Sequence, residues 1–171
     1  MELDAWRECC FSNLAAEGSG MSELARMADQ LERAYRGSAW HGPSLLEALE
    51  DVDFKKAFQH PLHDAHSIWE IVLHVTSTNE TVTMRLMGMA AMMTPEEDWP
   101  SIDTSDAGSW QAALEKLSQS HNKLIDALKT VSEDRLDDPV IKEFSTIYVT
   151  IQGNIQHMIY HAGQIMLLKK Q

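Results

Sequence analysis

The sequence predicts an all-α protein: an antiparallel four-helix bundle with one additional short helix. Three observations carry that prediction. Apolar residues recur at helical spacing through four long or medium segments and one short one. Ser or Asp stands at the start of these segments, twice with Glu three positions on, the pattern of a capping box. No internal repeat, Gly-rich phosphate loop, Cys ligand cluster or strong period-2 strand series accompanies them.

A chain of 171 residues, 44% hydrophobic, suits one domain with a sizeable core. Its 14 basic and 26 acidic residues leave a net charge of −12. Such a surface repels phosphate backbones and argues against nucleic-acid binding. No apolar run reaches the ~18 residues of a membrane span, and no basic region with an apolar core marks a secretory signal. Cys9 and Cys10 are adjacent, so they build no disulfide framework. The expectation is a cytoplasmic protein with no membrane partner.

Taken in order, Met1 to Gly20 reads as an N-terminal extension. A short helix could form there, but Glu17-Gly18-Ser19-Gly20 breaks it. Met21-Ser22 resembles a chain start, so residues 1–20 are set aside and residues 21–171 are read as the bundle domain. Ser22 caps a helix to about Arg36, whose apolar face holds Leu24, Met27, Leu31 and Tyr35, and Gly37 stops it. Trp40 to Pro43 is a loop. Ser44 with Glu47 opens the short helix of Leu45, Leu46, Ala48 and Leu49. Asp51 to Asp64 reads as irregular, anchored by Phe54, Phe58 and Pro61, with His60 and His63 as loop residues.

Ser67 with Glu70 opens the second long helix, to about Met87, with Ile68, Ile71, Val72, Val75, Val82 and Leu86 as its buried stripe. Gly88 to Thr104 is a long acidic connection carrying Trp99. It reads as a solvated connector with one packed Trp, the alternative being a lid beside a site. Ser105 or Asp106 caps a third long helix to about Val131, with Trp110, Leu117, Leu124 and Leu128 on its face and His121 as a structural residue. Asp134 to Pro139 is a turn, and the last helix lies within an apolar-periodic run from about Ser145 to Lys170. Gly153 in that helix either opens space beside a site or lets a neighbouring helix pack closely.

The chemistry concentrates in two places. His157 and His161 are i and i+4, which puts both imidazoles on one helix face, one turn apart. HxxxH also occurs in structural and surface roles, so its position matters. With His157 at zero and ~100° per residue, His161 lies at ~40° and Ile147, Ile151, Ile155, Met158, Ala162 and Ile165 between ~80° and ~180°. Both histidines border the buried stripe, and His74 borders the stripe of the second long helix in the same way. If those helices are neighbours, three imidazoles converge and leave positions open for water or substrate. Glu70, one turn before His74, is a candidate to orient it or act as a base, or is simply a cap. Asn154 and Gln164 are candidate hydrogen-bond partners of the histidines. Tyr160 is a candidate acid or substrate contact, or a packed aromatic.

The segments Ser67-Ile68-Trp69-Glu70-Ile71-Val72-Leu73-His74 and Asn154-Ile155-Gln156-His157-Met158-Ile159-Tyr160-His161-Ala162-Gly163-Gln164-Ile165 resemble the two signature regions of the DinB-like (DinB/YfiT) superfamily. The resemblance runs from about Met21 to the end of the sequence. It implies a four-helix bundle, often dimeric, with a three-histidine divalent metal site that maps onto His74, His157 and His161. Characterised relatives include thiol S-transferases using bacillithiol or mycothiol, a thiol-dependent isomerase, and proteins labelled only as metal-dependent hydrolases. The family often has Arg after the second His of HxxxH. Here it is Ala162, which puts any role of that Arg in binding an anionic thiol or carboxylate in question.

The expectation is therefore a metal-dependent thiol S-transferase or hydrolase acting on a small molecule. The alternatives are a non-catalytic metal- or ligand-binding bundle, or histidines satisfied by hydrogen bonds alone. Zn, Ni, Fe and Mn all suit imidazole ligands. A low-molecular-weight thiol is the candidate cosubstrate. A homodimer is expected from the resemblance, with the Met-rich stretch Met84 to Met93 as its contact region or as a buried loop.

Overall fold

The computed structural model describes residues 20–171, so the expected extension, apart from Gly20, lies outside the described residues. The α-helices are α1 (Glu23–Arg36), α2 (Leu45–Leu49), α3 (Phe54–Phe58), α4 (Ile68–Leu86), α5 (Pro95–Asp98), α6 (Ala107–Lys129) and α7 (Ile147–Leu168). Among the described residues there is no β-strand, only an isolated bridge between Pro139 and Thr146. None of the described helices is long and apolar enough to cross a membrane.

The all-α bundle is as the sequence predicts, and its starts are chemically marked. The hydroxyl of Ser22 accepts from Ala25 N, and the capping boxes of Ser44 with Glu47 and Ser67 with Glu70 both close. Asp106, not Ser105, caps α6 by accepting from Ser109 N, and Thr146 caps α7. Two short helices appear where irregular chain was expected. Asp53 accepts from Lys56 N and starts α3, whose buried anchor is Ala57 while Phe58 stays exposed. Thr94 and Glu97 form a third capping box, with Pro95 in the first turn, and start α5.

Side-chain pairs give the helix directions. Trp69 meets Trp110 with ring centroids 5.2 Å apart, and Asn79 meets Ser120, so α4 and α6 run the same way. His74 meets His157 and Asn79 meets Asn154, so α4 and α7 are antiparallel. Glu23 bonds Glu133 just past α6, and Arg36 bonds Asn122, so α1 opposes α6 and therefore runs with α7. The bundle thus pairs α1–α6 and α4–α7 antiparallel and the other two neighbouring pairs in parallel. A parallel pair cannot be joined by a tight turn. The chain from Met87 to Asp106 therefore crosses the bundle end to end and carries α5 and Trp99 with it.

A polar seam crosses the largely apolar core. Asn154 donates to Asn79 Oδ1, and Asn79 donates to Ser120 Oγ, both at 3.3 Å. This chain ties α4, α6 and α7 together one turn beyond the histidines. His121 is structural, as expected. It has no exposed surface, stacks on Tyr35 at 3.9 Å, and donates from Nε2 to Glu32.

Candidate metal centre

Helix α4 supplies His74, and α7 supplies His157 and His161. Their antiparallel packing brings the three rings to one point, as the border positions on both helices predict. His74 Nε2 lies 2.8 Å from His157 Nε2, and His161 Nε2 lies 3.0 Å from the same atom. One ring nitrogen from each of the three lies within 4.8 Å of the others, a spacing that could hold a metal ion. His74 and His161 are buried and His157 is half-buried.

These nitrogens cannot satisfy one another. His74 Nδ1 donates to the Asp98 carbonyl at 2.8 Å, because a carbonyl only accepts. His161 Nδ1 donates to Gln164 Oε1 at 2.6 Å for the same reason. A neutral imidazole has one N–H, so the Nε2 atoms of His74 and His161 are both bare lone pairs. His157 Nε2 can donate to only one of them. At least one contact then sets lone pair against lone pair, which a cation between the rings would turn from repulsion into attraction. Gln164 is thus the outer partner that the sequence suggested. Asn154 is not one, because it bonds Asn79 in the core seam.

Electrostatics favour the unprotonated forms of His157 and His161. Burial pulls His157 down to about 3, with His161 and His74 adding to the effect. Burial likewise takes His161 down to about 4, against its hydrogen bond to Gln164, which raises it. Three neutral nitrogen donors without a carboxylate form a set that Zn, Ni, Fe and Mn all accept.

The crossing chain covers the cluster. Trp99 stacks on the His74 ring at 3.9 Å and 2°, and on its other face the His66 ring lies at 3.5 Å and 6°. Asp98 Oδ1 stands 3.1 Å from His74 Nδ1, beside the carbonyl contact. So the Gly88 to Thr104 connection is more than a solvated connector, since it packs one side of the site. Trp99 sits where the lid alternative for this connection puts it, while His66 and Asp98 were not among the sequence candidates for contact with the cluster. The usable signal was the Thr94–Glu97 capping box, which fixes a turn immediately before Asp98.

The two remaining candidates are placed differently. The Glu70 carboxylate accepts from Ser67 N at 2.7 Å and from His60 Nε2 at 2.9 Å, and faces His66 at 3.7 Å. Burial would raise its pKa, but the Ser67 backbone and hydroxyl and His60 together hold it below the usual range. Its cap role is realised, and it bonds outward and not to His74. Tyr160 is largely exposed, with its ring 5.2 Å from that of His161, at the edge of a cleft that also touches Trp99 and Gln164. Gly153 is exposed, and a Cβ there would meet nothing within 4 Å. Neither expectation for it holds, because it opens onto solvent and no helix packs on it.

Comparison with known proteins agrees with this architecture. The family model described as the DinB superfamily matches residues 39–165. No curated protein matches the chain in sequence. A solved structure, "Crystal structure of the conserved protein of locus from Enterococcus faecalis", superposes with a TM-score of 0.67 at 16% identity. It covers 88% of this chain and 97% of its own. At that identity the likeness concerns the fold alone.

Proposed function

Because this chain belongs to the DinB superfamily, we propose that His74, His157 and His161 hold one divalent transition metal ion, Zn, Ni, Fe or Mn, and that the protein is a metal-dependent enzyme acting on a small molecule, by thiol S-transfer or by hydrolysis. One observation carries the metal reading. The Asp98 carbonyl and Gln164 take the Nδ1 protons of His74 and His161, so bare Nε2 lone pairs face a common point. What a dication supplies there, when bound, is a lowered pKa for a water or thiol, hence a nucleophile near neutral pH.

The chain's own residues do the rest. Asp98 and Gln164 fix the tautomers and ring planes of His74 and His161. Burial keeps His157 and His161 free of competing protons. Trp99 covers the His74 face and excludes water from that side. Tyr160, at the cleft edge beside His161, is the proposed substrate contact. Glu70 serves through the first turn of α4, fixing the start of the helix that presents His74. A cytoplasmic homodimer belongs to the same reading. The exposed Met84, Met87, Met89 and Met92, with Phe144 under the Arg85 guanidinium at 4.9 Å, support a contact surface there.

The deciding experiment is elemental analysis of tag-free protein, run beside His74→Ala and His161→Ala. About one transition metal ion per chain in the parent, lost in both variants, is the expected outcome. A parent that carries none and takes up none of the four metals would overturn the reading. A conjugation assay with several thiols and a halogenated aromatic then tests the chemistry. Tight binding with the ligand recovered unchanged would make the protein a holder of metal or ligand instead.

A further inference from the structure

A cleft of about 480 Å³ lies against the outer side of the histidine cluster, between the C-terminal half of α7 and the chain that leads into α4. That volume suits a ring-bearing small molecule. Leu62, Ala65, Ile71, Trp99, Tyr160 and Leu167 form its apolar walls. The polar lining is Asp64, His66, His161 and Gln164. No Lys or Arg lines it, and its one permanent charge, Asp64, is negative. Behind the lining stand two more carboxylates, Glu70 beside His66 and Asp98 beside His74. The Gln164 carbonyl oxygen is already taken by His161. Both faces of Trp99 are covered by imidazole rings, so only its edge is left for a ligand.

An anionic group held against the cleft walls, away from the histidine cluster, would lose hydration and find no side-chain counter-charge, with carboxylates beside His66 and His74. An uncharged ring would displace water from apolar walls with no charge of its own to desolvate. We propose that the cleft binds the uncharged, apolar, ring-bearing part of the substrate whose reacting end meets the histidine cluster, and that it selects against anionic groups. The inference deepens the reading of the site as a metal centre and rests on it only for the position of the reacting end. The wall chemistry stands independently.

A matched pair of probes separates charge from shape: N-phenyl-1-naphthylamine, which is neutral, and 1-anilinonaphthalene-8-sulfonate, the same aromatic frame with a sulfonate. Fluorescence titration uses the full chain, once as purified and once stripped with chelator. The neutral probe binds about one per chain and about tenfold more tightly than the sulfonate, in both samples. Leu167→Glu, at an exposed position, and Ala65→Phe, which fills the cleft, each weaken the neutral probe about fivefold. Leu62→Lys adds a cation and narrows the preference between the probes. Equal affinity for both probes, or a neutral probe indifferent to Leu167→Glu and Ala65→Phe, would overturn the proposal. Because stripped protein is titrated too, the failure of the histidines to hold metal and the failure of the cleft to bind the neutral probe are read as separate results.

Discussion

Gln164 and the Asp98 carbonyl decide what the histidines can do. Each takes a proton-bearing nitrogen and leaves the opposite one bare. Gln164 offers the cleaner substitution, since it acts through its side chain alone, whereas Asp98 meets His74 Nδ1 with both its carbonyl and its carboxylate. Gln164→Leu leaves His161 free to place its proton on Nε2, and metal affinity falls about tenfold, measured by competition with a chromophoric chelator. Gln164→Glu keeps an acceptor in place and keeps the affinity. Equal loss in both variants would mean that Gln164 acts by packing and not by fixing the tautomer. At this scale the sequence pointed to the histidine trio, because helix periodicity puts His74, His157 and His161 beside their own apolar stripes. Trp99 was legible only as one of two alternatives for its connection, and Asp98 and His66 were hidden, for a physical reason. They lie on connections, where no periodicity records which element the chain will cross.

Helix starts were legible because capping is local chemistry, complete within four residues. Ser22, Ser44 and Ser67 act as their sequence signatures say. The same signature at Thr94 opens α5, and its four residues are too few for periodicity to mark. Removing the cap of α4 with Ser67→Ala costs about 1 kcal/mol, read from the urea midpoint. In α7 the change runs the other way. Gly153 faces solvent with open space at its Cβ, so Gly153→Ala stabilises the protein by about 1 kcal/mol. A lower midpoint for that variant would show that the glycine serves a contact outside this chain. The sequence could not decide the role of Gly153, since glycine in a helix reads the same whether a neighbour packs on it or nothing does.

For the molecule as a whole, His121 links stability to pH. Burial takes it from an ordinary 6.5 down to about 4, against the raising influence of Glu32. As pH falls below 6.5 the unfolded chain takes up a proton that the folded chain refuses until about pH 4. Stability present above pH 6.5 therefore declines across that window, by about 3 kcal/mol from His121, and the depressed His157 and His161 add losses of the same sign. Urea unfolding at pH 7.5 and pH 4.5 measures the loss, and His121→Gln shrinks it. An unchanged slope in that variant would assign the pH dependence elsewhere. The parallel course of α4 and α6 has a consequence for how fast this molecule forms. Antiparallel neighbours joined by tight turns meet early, because little chain is closed into a loop. Here the contacts that assemble the histidine cluster close 24 residues, from His74 to Asp98, and 83 residues, from His74 to His157. The contacts between α4 and α6 close 41 residues, from Asn79 to Ser120, so the 83-residue closure to His157 is the later one and the complete cluster is expected to be absent from the folding transition state. An ion added during refolding would leave the folding rate where it was and slow only unfolding, lengthening the lifetime of a fold it did not help to find.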